Sequence, residues 1–449
     1  MAPSVLHLPA AELAEFNRVI VQRLSRQLRT RIGPALAFAL KHQEAPLIPD
    51  SEHIRQMSET LFSRFMTTDL DAQDRTVLGP LAERPGTVYK LDVRASSMLT
   101  PIEGVYTTGS VVYLHRAQPQ ERCTPLGVAF WYDDAPLLIQ PGDGDAWELA
   151  KHYAVMGASY LGLLGTHTLV HFPTDSVNAI SKAVLPPEHT LFKLLAPHLY
   201  IQLCLDFSVQ HIDKSPYHNN QTEFFTGLAY DGPTSPWRIT RAVYAGVPGN
   251  PTFPGYRFPR AVEPTHSDYG DFLLGYYQVF RTFVAEVLAD VSTDDPLVAR
   301  WAAACGQYVR GFPTLEELAD HAVLVDTVTY VIWNASVLHS TDHYSWGTIP
   351  ILERSLRLRV PPPRSRTITL DRRAMTTAED RFRLCLTDQM SLTPTPFVET
   401  RLMDVDYGFA QPALQKAQQR FHAGLRAYDA APGVTRHIPL ADIACSIQY

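Results

Sequence analysis

Hydrophobic and polar positions follow a helical period over most of the chain and a strand period over one shorter stretch. From about Pro9 to Lys41, Leu13, Phe16, Val19, Ile20, Leu24, Leu28 and Ile32 share one side and Arg and Glu the other. This predicts an amphipathic helix that docks on the core or, as a second reading, makes a peripheral contact with a membrane surface. Residues 52–68 read as helical again. Between Gly86 and Ile139 the runs TVYKLDV, GSVVYLHR and LGVAFWYD, broken by Gly, Pro and Asp, predict a small antiparallel β region. PGDGD at 141–145 is a turn, and Ala146 opens a helix that runs past Leu164. A loop is expected after Phe172-Pro173, a long irregular connection over 216–268, and helices from Gly270 to Leu288 and from Pro296 to Arg310. The segment after Pro361 reads as polar and helical, with RFHAGLRAYDA as the last helix.

The most apolar pattern lies between Thr314 and about Trp346. Thr314 with Glu317 forms a capping box, and Gly347 and Pro350 mark the end. Ala322 through Trp333 is apolar almost all the way round, which predicts a buried helix. It ends in His339 and His343, one turn apart, and His167 and His171 repeat that spacing on the helix after Ala146. Two imidazoles four residues apart on a helix can close on one metal ion. The alternative is that each histidine satisfies its ring nitrogens on core carbonyls. Position 168 is Thr, where a zinc protease needs Glu, and the Glu-x-x-His pairs of di-iron bundles are missing.

Composition narrows the function classes. The 449 residues are 45% hydrophobic and 19% charged with net charge −7, which fits a well-buried enzyme body and disfavours nucleic acid as a partner. Five widely spaced cysteines without a CxxC suit reduced thiols in a cytoplasmic protein. No signal peptide and no run approaching a membrane span is expected.

AWELAKHYAVMGASYLGLLGTHTL, EHTLFKLLAPH, GDFLLGYYQVFRTFVAEVL, VIWNASVLHSTDH and the final IACSIQY together resemble, in order and spacing, the lipoxygenase family of non-haem iron dioxygenases. The resemblance covers roughly residues 85–449. It implies a mainly α fold, a lipoxygenase-like helical catalytic domain around two long metal-bearing helices, with the small antiparallel region near the N-terminal third. Residues 1–85 form an N-terminal helical region in place of the family's β-barrel domain, and 86–449 the catalytic domain. The implied cofactor is one mononuclear iron, with manganese as an alternative. Its ligands would be His167, His339, His343 and the main-chain carboxylate of Tyr449. The family's first ligand falls on Gly162, so His171 is the expected replacement. Asp342 is either an acceptor for a ligand imidazole or a solvated helix-end carboxylate.

The resemblance further implies addition of O2 at an activated C–H of an unsaturated fatty acid or similar apolar substrate. Leu161, Leu164, Leu205, Phe207 and Ile332 are the expected lining. Phe207-Ser208-Val209 stands where the family has Leu-Ala-Arg, which keeps two alternatives open: an oxidase or oxygenase of a non-lipid metabolite, and a metal-free binding protein.

Overall fold

The computed structural model describes residues 8–132, 135–211, 215, 217, 228–230, 234–250, 252–262, 266–392 and 399–448. Helices dominate, and they surround one continuous apolar core. The chain opens with α1 (residues 10–41), an almost unbroken helix with a π-helical turn at Asn17–Val21. α2 (Asp50–Ser58) and α3 (Ala72–Leu78) flank β1 (Met66–Thr67), the first strand of a five-stranded sheet completed by β2 (Thr87–Asp92), β3 (Ser110–Arg116), β4 (Thr124–Tyr132) and β5 (Ala135–Ile139). Its strands are all antiparallel and adjacent in chain order. Val88, Val111, Tyr113 and Leu138 form a small second core with Leu78 of α3.

The first long core helix, α4, runs over residues 145–184 without interruption. The loop expected after Pro173 does not form. Pro173 sits inside the helix, buried, and the burial of Val170, Val177 and Ser181 around it outweighs the one backbone bond it removes. α5 (Thr190–Leu195) and α6 (Gln202–His211) follow, with the β-branched Ile201 held at φ 53° immediately before α6. Few β-branched residues tolerate that left-handed conformation, so the turn into α6 is fixed by its surroundings. The connection over 216–268 is not wholly irregular, because α7 (Thr234–Ala245) buries Ile239 and Val243 on one face.

α8 (Asp268–Leu288) and α9 (Pro296–Tyr308) lead to the central helix. Its start differs from the expected one. The Thr314 capping box forms, but it closes a single turn, Leu315–Leu318. Asp320 then caps a new helix by accepting from the Ala322 amide, and α10 (residues 321–347) begins there. α10 is long and apolar enough to cross a membrane by length and composition, contrary to the expectation from sequence, yet 72% of that window is buried inside the fold. After Pro361 the chain is irregular until α11 (Ala378–Thr387), and α12 (Pro412–Asp429) is the last helix.

Candidate metal centre

α4 and α10 pack side by side, and each carries one π-helical turn immediately before its pair of histidines four residues apart: Gly162–Thr166 before His167, and Asn334–Leu338 before His339. A π turn leaves backbone carbonyls poorly satisfied, and such turns concentrate at functional sites. Here hydroxyls fill the need. Leu164 O accepts from Thr168 Oγ1 at 3.1 Å and from Thr240 Oγ1 of α7 at 2.7 Å. In α10 the Asn334 amide reaches across to α4, donating to Val170 O at 2.9 Å and Thr174 Oγ1 at 2.8 Å. That bridge fixes the two helices against each other at the level of the histidines.

The four predicted histidines come together. His167 Nε2 lies 3.0 Å from His171 Nε2 and 3.1 Å from His343 Nε2. The His339 ring centroid is 5.2 Å from that of His167, 4.9 Å from His171 and 4.7 Å from His343. His167, His339 and His343 each offer a ligand atom, all within 4.8 Å of one another. His171 stands beside this trio, in contact with His167 and His339. Two nitrogens bound to one metal at about 2.1 Å and about a right angle apart are about 3.0 Å from each other, so the measured separations are those of neighbouring ligands.

Carboxylates stand behind two of the rings. His171 Nδ1 donates to Asp206 Oδ1 at 2.7 Å, and Gln202 of the same helix donates to Asp206 Oδ2 at 3.2 Å. With that proton committed, a neutral His171 presents a bare lone pair at Nε2. His167 Nδ1 lies 3.7 Å from Asp342 Oδ2, beyond hydrogen-bond length. Asp342 accepts from Arg64 Nη2 at 2.5 Å and from Tyr269 OH at 2.5 Å. It is 2% exposed, which removes the reading of a solvated helix-end residue. Burial pushes its pKa up, but the Arg64 guanidinium and His167 more than offset this, and the net shift is down. Burial, followed by the neighbouring His171, lowers His167 to about 4, so that imidazole is neutral at neutral pH, as a metal ligand must be.

The chain matches no family profile and no curated protein. Solved structures do match it. A coral 8R-lipoxygenase superposes with TM-score 0.71 at 15% identity, over 95% of this chain and 75% of that one. A calcium-dependent 11R-lipoxygenase gives 0.70 at 15% identity, over 90% and 66%. The manganese lipoxygenase of Gaeumannomyces graminis gives 0.70 at 13% identity, over 98% and 92%. This chain has a lipoxygenase-like fold.

Within that lipoxygenase-like fold, Gly162 opens the π turn of α4. A Cβ there would lie 3.1 Å from the Trp346 ring and 3.3 Å from Leu61, so neighbouring side chains already occupy the space a larger residue would need. A cavity of about 20 Å³ adjoins it, lined by Leu61, Gly162, Leu163, His167, Asp342, His343 and Trp346. Such a volume holds one small molecule of about the size of water. Leu161, Leu164 and Ile332 are buried core residues on α4 and α10, and Leu205 is buried on α6; none of them borders this cavity. Phe207 is 37% exposed, its ring against His211 at 4.9 Å.

Tyr449 lies outside the described residues. The tail before it is buried and bonded close to the metal helix: Ala444 N donates to Ser340 Oγ at 3.0 Å, and His198 Nδ1 donates to Cys445 O at 2.7 Å. Sequence reading found the four histidines by their spacing. It missed Asp206, Arg64 and Tyr269, which come from distant segments, and Asn334 of α10, whose partners lie on α4; none carries a local signal.

Proposed function

We propose that the chain is a mononuclear non-haem metal oxygenase of lipoxygenase type, with His167, His171, His339 and His343 holding the metal. The observation that carries this reading is the convergence of His167, His171 and His343 nitrogens at 3.0 and 3.1 Å in a buried site backed by Asp206 and Asp342. A donor set of neutral imidazoles favours a first-row metal, iron or manganese, over calcium or magnesium. Such a metal supplies the redox chemistry for oxygenating an activated C–H with O2. The residues' share is to fix it. Asp206 sets the tautomer of His171, Asp342 stabilises positive charge near His167, and the apolar helices exclude water.

An unsaturated fatty acid is the first substrate class. A second reading, oxygenation of a non-lipid metabolite, rests on Phe207-Ser208-Val209 standing where the lipoxygenase family has Leu-Ala-Arg. Elemental analysis of purified protein should give about one metal per chain, and His339→Ala should bring it close to zero. Full occupancy in that variant would defeat the proposal. Oxygen consumption with linoleate then separates the substrate readings: uptake with a conjugated-diene product supports the fatty acid, and a metal-loaded but inert protein supports the non-lipid metabolite.

A further inference from the structure

The outer face of α1 stands apart from the rest of the surface. Ten large hydrophobic residues among those described are more than about a third exposed, and six of them, Leu13, Val21, Ile32, Leu36, Leu40 and Leu47, fall in the first 47 residues. Leu36 is 51% exposed, Leu40 63% and Leu47 57%. Leu24, Leu28, Ala35 and Phe38 form the opposite face and pack on α11 through Cys385 and Leu386. α1 therefore has two apolar faces, one satisfied by the core and one facing outward. The expectation that Leu13 and Ile32 belong to the inner face is corrected here. The helix passes through a π turn at Asn17–Val21 and carries Pro34 in its interior, so a uniform helical period does not describe it.

Charge follows the same face. Between residues 17 and 43 the chain has Arg18, Arg23, Arg26, Arg29, Arg31 and Lys41 and no acidic residue, in a protein of net charge −7. Arg23 turns inward to donate to Gln448 O, and Arg18 pairs with Glu15. Arg26, Arg29 and Lys41 are exposed, and no carboxylate among the described residues pairs with them. At helical spacing Arg26, Arg29, Gly33, Leu36 and Leu40 form one continuous outward stripe, basic at its start and aliphatic at its end. A Cβ added at Gly33 would meet nothing within 4 Å, so the stripe is open at its middle.

We infer that this stripe seats the protein on an anionic phospholipid surface, with Leu36 and Leu40 entering the acyl boundary and Arg26 and Arg29 meeting lipid phosphates. An aliphatic strip bordered by exposed cations is the chemistry of a helix lying in the interfacial plane. A second copy of the chain fits less well, because packing this stripe antiparallel about a two-fold axis would bury Arg26 and Arg29 against the copy's leucines with no acidic residue of the stripe to compensate them. The inference is independent of the metal reading.

The test is co-sedimentation of the full chain with vesicles of phosphatidylcholine alone or of equal parts phosphatidylcholine and phosphatidylglycerol. Binding is expected on the anionic vesicles and should weaken as salt is raised. Arg26→Gln with Arg29→Gln should lower partitioning about thirtyfold, and Leu36→Gln with Leu40→Gln about tenfold or more. All four side chains are exposed, so thermal melting should stay that of the parent chain. Absence of binding to anionic vesicles overturns the inference, as does binding that neither pair of substitutions reduces. Light scattering that shows a dimer dissolved by the leucine pair, without vesicle binding, assigns the face to a second copy instead.

Discussion

α4 and α10 carry the same device, a π-helical turn followed by two histidines four residues apart, yet they are supported differently. The carboxylate on α10, Asp342, is flanked by the α10 histidines in sequence but faces His167 of α4, and it also holds the guanidinium of Arg64 and the phenol of Tyr269. The carboxylate serving α4, Asp206, comes from α6 and bonds His171 and its own helix neighbour Gln202. One acid is thus shared between the site and the fold, and the other belongs to the site.

That contrast makes the largest expected effect Asp342→Asn. It leaves a largely buried Arg64 cation uncompensated, and breaking such a pair costs about 3 kcal/mol. Urea denaturation of the metal-free protein should show the loss; an unchanged midpoint would break the contrast. Asp206→Asn should instead leave metal-free stability nearly intact and weaken metal binding about tenfold to a hundredfold, read by chelator competition. Equal losses of stability in both variants would put the two acids in one class.

The smallest expected effect sharpens the same contrast within α4. His152, one helical stretch before the histidine pair, donates from Nε2 to Pro46 O and is lowered by burial to about 4; His53 of α2 is lowered to about 3 for the same reason. Both are therefore neutral in the folded state, while an unfolded histidine titrates at about 6.5. Their contribution is complete above that value and is lost as pH falls toward the folded values, because the unfolded chain takes up protons that the fold refuses. Between pH 7 and 5.5 stability should drop by about 1 kcal/mol per buried imidazole. His152→Gln should flatten that slope in urea titrations at the two pH values; an identical slope would show that His152 charges without penalty.

The sequence made the mainly helical fold, the antiparallel region and the histidine pairs legible, because each rests on a local period. HxxxH is visible in a string since both rings lie on one face of one helix. The supports are not, since Arg64 reaches Asp342 across 278 residues and Asn334 reaches Val170 across 164. Local signals also misled where two competed. The Thr314 box was real but Asp320 supplied a second cap a turn later, so the long helix starts at His321. Pro173 was read as a break, but burial on both sides carries the helix through it. The reverse happened after Pro361, where polar spacing read as helix and the chain stays irregular until Ala378. Thr234–Ala245 hid among the Pro and Gly signals around it.

His167 and His343 meet across 176 residues of intervening chain. A contact of that sequence separation closes a large loop, and its entropy must be met before any local reward arrives, so it belongs to the slow end of the folding reaction. Collapsed intermediates with α4 and α10 each formed but not yet docked would hold two separate histidine pairs and no shared site. On the proposed metal reading, capture of the ion is a clock for folding. In refolding from denaturant, the moment at which a chelating dye loses its ion should coincide with the last structural phase and trail the recovery of helix.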